Sequence, residues 1–195
     1  MPTGVAIRNA REQLFDAAER VLLREGPNAL TSRAVTTEAG VAKGVLHRHF
    51  VDFDGFLAEL VKDRCSRLDA QAEALRDAVG RGTVADNLTA ALVELFGPLT
   101  VAIVALVISR DGLRARLRQA GSASIPLVGE GTTMIASYLA AERDLGRVGP
   151  GADVRVLAPT LVGAAHLLFA DREGPPAGTD AVRRIVTTVL GAVTD

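Results

Sequence analysis

Between Thr31 and His49 the sequence gathers Thr31, Ser32, Arg33, Lys43, His47, Arg48 and His49, with Glu38 the single carboxylate among them. Hydroxyls and free amides at the first turn of a helix bind phosphate oxygens, and an arginine can fork onto the O6 and N7 of guanine. Other chemistry is poorly served. His47 and His49 stand two apart, which on a helix turns them to different faces and makes a shared metal ion poor geometry. The lone Cys65 permits no internal disulfide and no cysteine metal cluster, and no histidine is near it in sequence. There is no Gly-x-Ser-x-Gly elbow, no His-Glu-x-x-His and no Gly-x-x-x-x-Gly-Lys loop. The expectation is a chain that is no enzyme and carries no cofactor or metal.

The charge of the whole chain gives no general pull toward a polyanion: 22 basic and 23 acidic side chains among 195 residues, net −1. The asymmetry is local. Residues 1–50 hold seven basic and five acidic side chains, and the remaining 145 hold 15 and 18. Hydrophobic residues make up 48%, ample for a core. The first eleven residues lack the apolar run of a secretory signal, so a cytoplasmic protein is expected. The most apolar stretch, Leu95 to Ile108, contains Gly97 and Pro98 and falls short of the roughly 20 residues that span a bilayer. It reads as a buried helix, and no membrane contact is expected.

The elements that must hold these side chains are all helices. Ile7, Ala10, Leu14, Ala17 and Val21 recur at helical spacing up to Gly26-Pro27. A short helix opens at Thr31 or Ser32 and stops at Gly40, and another runs from Ala42 to His49. Val45, Leu46 and Phe50 would pack that second helix inward, leaving Lys43, Gly44, His47 and Arg48 outward, with His49 between the two faces. Two short helices about a glycine turn make a helix-turn-helix candidate. Further helices are predicted near Asp54–Val79, Val84–Phe96, Leu99–Ile108, Gly112–Ala120, Ile125–Leu145, Ala152–Asp171 and Asp180–Val193. No strand is predicted, and the fold class is all-α.

The run Gly40-Val-Ala-Lys-Gly-Val-Leu-His-Arg-His-Phe50, with the arginine-bearing helix before it and Leu57-Ala-Glu-Leu after it, resembles the helix-turn-helix of the tetracycline-repressor (TetR) family of bacterial transcriptional regulators. The resemblance implies a three-helix DNA-binding domain over residues 1–53, followed by a larger helical ligand-binding and dimerisation domain over 54–195. It implies a double-stranded DNA operator as partner, contacted by Thr31, Ser32, Arg33, Lys43, Gly44, His47 and Arg48. Arg33 matches a position that touches DNA in the family. Ala42, His47 and Phe53 depart from the usual serine or threonine, tyrosine and lysine. Asp52 and Asp54 would repel DNA if they faced it.

Such a regulator senses a small molecule between its later helices. Leu68, Phe96, Leu99, Ile103, Met134, Tyr138, His166 and Phe169 are the candidate lining, and they suggest a mainly apolar inducer. Tyr138 and His166 stand out because a buried hydroxyl or imidazole needs a partner. Arg110, Arg114, Arg116 and Arg118 form a cluster at helical spacing that reads as a solvated face or an anion site. The last two helices carry stripes on which two copies could pair: Val156, Ala158, Leu161, Val162, Ala164, Ala165 and Leu168, then Val182, Ile185, Val186, Val189, Leu190 and Val193. The combined expectation is a ligand-released homodimeric repressor. Its rival is a protein of the same fold that acts through a protein partner with weak or no DNA binding.

Overall fold

The computed structural model describes residues 4–122, 125–171 and 178–191, with side chains from residue 10 onward. Among the described residues ten α-helices follow one another: α1 Gly4–Glu25, α2 Ser32–Glu38, α3 Gly44–His49, α4 Phe53–Asp77, α5 Val84–Leu95, α6 Pro98–Ser109, α7 Asp111–Gln119, α8 Val128–Asp144, α9 Val154–Ala170 and α10 Thr179–Gly191. A short 3-10 turn, Pro27–Ala29, separates α1 from α2. No strand occurs among the described residues. The all-α class read from the periodicities is therefore the observed one.

The chain divides into two compact units, one of Met1–Arg64 with Ala102–Ile125, the other of Cys65–Val101 with Pro126–Asp195. In the first, α1 presents Leu14, Phe15, Ala17, Ala18, Val21 and Leu22 inward, steps of three and four that make one buried stripe. Phe15, Phe50 and Phe56 meet with ring centroids 5.0–6.0 Å apart, bringing α1, the end of α3 and the start of α4 onto one aromatic cluster. The Arg11 guanidinium lies 4.9 Å above the Phe50 ring. Beneath the cluster Arg64 on α4 forks onto both carboxylate oxygens of the buried Glu19 on α1. In the second unit α8 packs on α9, and α10 packs on both α5 and α9.

Several helix starts differ from the sequence reading by one to three residues. The helix expected from Ile125 starts at Val128, because Leu127 sits at φ 69, outside helical space, with its amide donating to Glu130 at 2.6 Å. The helix expected from Ala42 starts at Gly44, with Ala42 and Lys43 forming the turn that leads into it. Among the described residues no single helix is long and apolar enough to cross a membrane. Ile103, Val104, Leu106 and Val107, in the apolar stretch that raised that question, are buried in the protein.

Candidate nucleic-acid interface

The site starts from a cap. Thr31 Oγ1 accepts from the Ala34 amide at 3.1 Å and opens α2. At the other end the Gly40 amide donates to the Thr37 carbonyl at 3.1 Å and the Val41 amide to the Thr36 carbonyl at 3.0 Å, with Gly40 at φ 66. These paired bonds are a Schellman closure, which turns the chain sharply and aims it into α3. No atom would lie within 4 Å of a Cβ on Gly40, so its requirement for glycine comes from the backbone alone. Gly40→Ala should therefore destabilise the protein by about 1–2 kcal/mol, and Gly40→Asn, which tolerates this conformation better, by visibly less. Urea unfolding of the two variants checks it; equal losses would remove the backbone explanation.

Within α3 the division of labour is clean. Leu46 is fully buried, Phe50 nearly so, and Val45 is half-buried. Lys43, Gly44, His47 and Arg48 are exposed. His49 is half-buried, its ring edge-on to Phe50 at 6.4 Å. A Cβ on Gly44 would meet nothing within 4 Å, so the start of α3 offers bare backbone on an open face. On α2, Thr31 and Arg33 are exposed, while Ser32 is half-buried and its Oγ makes no hydrogen bond. Arg20 and Arg24 of α1 brace α2 by donating to Glu38 at 2.7 and 2.9 Å, and together they hold that carboxyl below its usual range. The seven candidate contacts thus sit on α2 and α3 or at their N-caps, and the two helices pack on each other. A surface of side-chain cations, an imidazole and unobstructed backbone has the chemistry that a groove-shaped polyanion requires.

The acidic residues beside α3 do not carry the bare charge that the sequence reading feared. Arg116 pairs with Asp52 and Arg110 with Asp54, so each carboxylate is neutralised by an arginine at the start of α7 or within it. The same pairs dissolve the expected arginine cluster: Arg114 donates to Asp111 and to the Ile108 carbonyl, so three of its four members are engaged within the protein. The part these arginines play was missed in the sequence, where their partners lie 56 and 64 residues away.

The candidate ligand residues are only partly brought together. Phe96 is fully buried and packs against His166 and Phe169, at centroid distances of 5.5 and 6.2 Å. Leu68, Met134 and Tyr138 are buried in the same unit, Leu99 is half-buried there, and Ile103 belongs to the other unit. The hydroxyl that singled out Tyr138 is already partnered: it accepts from Asn87 Nδ2 at 2.8 Å and pairs with the fully buried Glu142, which Arg147 neutralises at 3.1 Å. Burial pushes that phenol up to about 12. A separate cleft of about 470 Å³ opens beside Thr83, Arg147 and Leu190, and none of the eight residues lines it.

His166 remains the one polar candidate with an aromatic neighbour and no hydrogen bond described. Burial lowers its pKa below the ordinary 6.5. As pH falls below about 6.5 the unfolded chain takes the proton first, so stability should decline until the folded value is passed and then level off. His166→Phe should flatten that decline, read as urea midpoints at pH 7.5 and 5.5. An unchanged slope would place the titration elsewhere. Cys65 is half-buried and its thiol is pushed up to about 11, chiefly by burial, so it stays protonated near neutrality. Among the described residues no group of three or more His, Cys, Asp or Glu could hold a metal ion.

Residues 14–60, which contain α2 and α3, match the sequence pattern of the bacterial regulatory proteins of the tetR family. Among proteins of curated function none matches the sequence. Solved structures do. A TetR-family transcriptional regulator from Mesorhizobium loti superposes with a TM-score of 0.71 at 16% identity, covering 95% of each chain. The regulator FadR from Bacillus subtilis, solved with stearoyl-CoA, gives 0.69 at 17% identity over 93% of this chain and 98% of that one. The multidrug binding protein EbrR, solved with imidazole, gives 0.61 at 22% identity over 92% and 94%. Residues 14–60 thus carry the helix-turn-helix pattern of the tetR family of bacterial regulatory proteins, and the fold of the chain is the one that solved TetR-family regulators share.

Proposed function

We propose that the protein is a transcriptional repressor that binds a pseudopalindromic operator as a homodimer and is released by a small, mainly apolar ligand. The observation that carries this reading is α3, whose Lys43, Gly44, His47 and Arg48 are all exposed while Leu46 and Phe50 anchor it. In this reading Arg48 forks onto a guanine, Lys43 meets phosphate, and the bare backbone at Gly44 lets the helix approach closely. Arg33 is the second base contact, and Thr31 and Ser32 meet a phosphate at the start of α2. Residues 1–53 serve as the DNA-binding domain and 54–195 as the ligand-binding and dimerisation domain, in a cytoplasmic protein that acts by binding alone.

Dimerisation through α9 and α10 draws its support from what α9 leaves outside. Ala158, Leu161, Val162, Ala165, Val182 and Val186 are used up in the subunit's own core, whereas Val156 and Leu167 on α9 remain 59% and 72% exposed. A second copy would cover such a face, and a two-fold pair then sets two copies of α3 about one helical turn apart. In this reading the apolar ligand meets Phe96, His166 and Phe169, and the solved FadR complex holds a fatty acyl thioester. The ligand releases DNA to the extent that it favours a conformer with α4 swung away from the DNA-competent one. The rival reading, action through a protein partner, draws on Phe53, Asp52 and Asp54, and the pairing of the two aspartates with arginine weighs against it.

The test is selection of duplexes from a random-sequence pool, followed by footprinting across a salt series. A protected pseudopalindrome whose affinity falls steeply with salt is expected. No enriched duplex at low salt would overturn the reading.

A further inference from the structure

The α3–α4 junction is held from outside by α7. Asp52 accepts from the Gly55 amide at 2.7 Å, closing the first turn of α4, and its other oxygen is taken by Arg116. Two residues on, Asp54 is taken by Arg110, whose guanidinium also lies 5.2 Å above the Phe53 ring. The backbone is shaped to admit these pairs. A Cβ on Gly55 would stand 3.2 Å from Arg116 Nη1 and 3.3 Å from Asp52 Oδ1, and one on Gly112 would collide with the Asp54 carboxylate. Two carboxylates, two guanidiniums, an aromatic ring and two glycines thus make one clasp across 56 to 64 residues of sequence. Phe53 and Phe56 stack at 5.6 Å, and Phe56 meets Phe50 at 5.0 Å, so the clasped turn abuts the residue that ends α3.

We propose that Arg110 and Arg116 are positioning residues for DNA recognition: by clasping Asp54 and Asp52 they fix the first turn of α4 and, through the phenylalanine cluster, the attitude of α3. This rests on the reading of α3 as the DNA-reading helix. It makes α7 part of the recognition apparatus although α7 itself contacts no base. The clasp accounts for two aspartates beside a DNA-binding helix, since in this setting they are anchors whose charge is neutralised in place.

Three variants test it. The double variant Arg110→Ala, Arg116→Ala should weaken binding to a duplex selected by the wild-type chain about tenfold, within the usual range of coupling between separate sites. In the DNA-free protein it should also speed amide hydrogen exchange across residues 44–58, with little change in the urea midpoint. Gly112→Ala leaves every charge in place and should shift both readouts in the same direction. Adding Asp52→Asn and Asp54→Asn to the double variant removes the carboxylates yet should not restore affinity, because the geometry is still lost. Restored affinity would mean that the arginines only mask charge and would overturn positioning, as would unchanged affinity and exchange in the double variant. A wild-type chain that enriches no duplex would sink the DNA reading, and the exchange rates would then decide alone whether the clasp holds α3.

Discussion

Arg64→Ala should destabilise the protein by about 3–5 kcal/mol, the usual loss when one partner of a buried ion pair is removed. Glu19 is only 8% exposed, on the inner face of α1 between Ala18 and the Val21–Leu22 pair. Arg64 reaches it from α4 with two donors, and no other cation is described beside it. Without that fork the carboxylate keeps the cost of leaving water and gains nothing in return. The loss is one of an orphaned charge, so replacing both partners together, Glu19→Leu with Arg64→Met, should recover most of it. Urea unfolding followed by far-ultraviolet circular dichroism measures all three proteins. A single-variant loss below about 1 kcal/mol, the level of an exposed surface pair, would show that the pair is solvated and that apolar packing alone joins α1 to α4.

The second large effect falls on function and leaves the fold alone. Arg48 is exposed and makes no ion pair among the described residues, so Arg48→Ala should shift folding stability by no more than about 0.5 kcal/mol. Against a duplex chosen by the wild-type chain the same change should cost about 1–3 kcal/mol, a loss of about 5- to 150-fold, and relax selectivity at one base position. Lys43→Ala makes the control. As a phosphate contact it should weaken binding evenly across sequences and reduce the salt slope by about one. The two variants therefore separate reading from gripping. Equal loss on selected and scrambled duplexes for Arg48→Ala would assign that residue to the backbone and move the reading function to Arg33 or His47.

Much of this architecture was legible because it is local. The stripe Leu14, Ala17, Val21 has helical spacing on its face, and Thr31 and Gly40 bracket α2 by the chemistry of caps. The outward set on α3 followed from placing Val45, Leu46 and Phe50 inward. What stayed hidden is whatever depends on pairs distant in sequence. Nothing near Asp54 announces Arg110, nothing near Glu19 announces Arg64 45 residues on, and Tyr138 gives no hint that Asn87, 51 residues earlier, already meets its hydroxyl. The stripe on α9 was ambiguous for a related reason. Apolar residues surround much of that helix, and only the packing of α8 and α10 against it decides that Leu161 turns in and Leu167 turns out. The start of α8 was misplaced because a leucine at positive φ has no signature in sequence.

The strict separation within α3 has a consequence for how such a protein can change. A helix of six residues does not persist alone in water, so its shape is set by the side chains that hold it, Leu46 and Phe50 above all. The side chains that would touch a ligand strand are others, and they contact little of their own protein. Natural variation at Lys43, Gly44, His47 and Arg48 is therefore nearly invisible to folding. A lineage can drift through many combinations at these positions without losing the scaffold, and a library randomised at all four should consist mostly of folded proteins that differ in what they recognise.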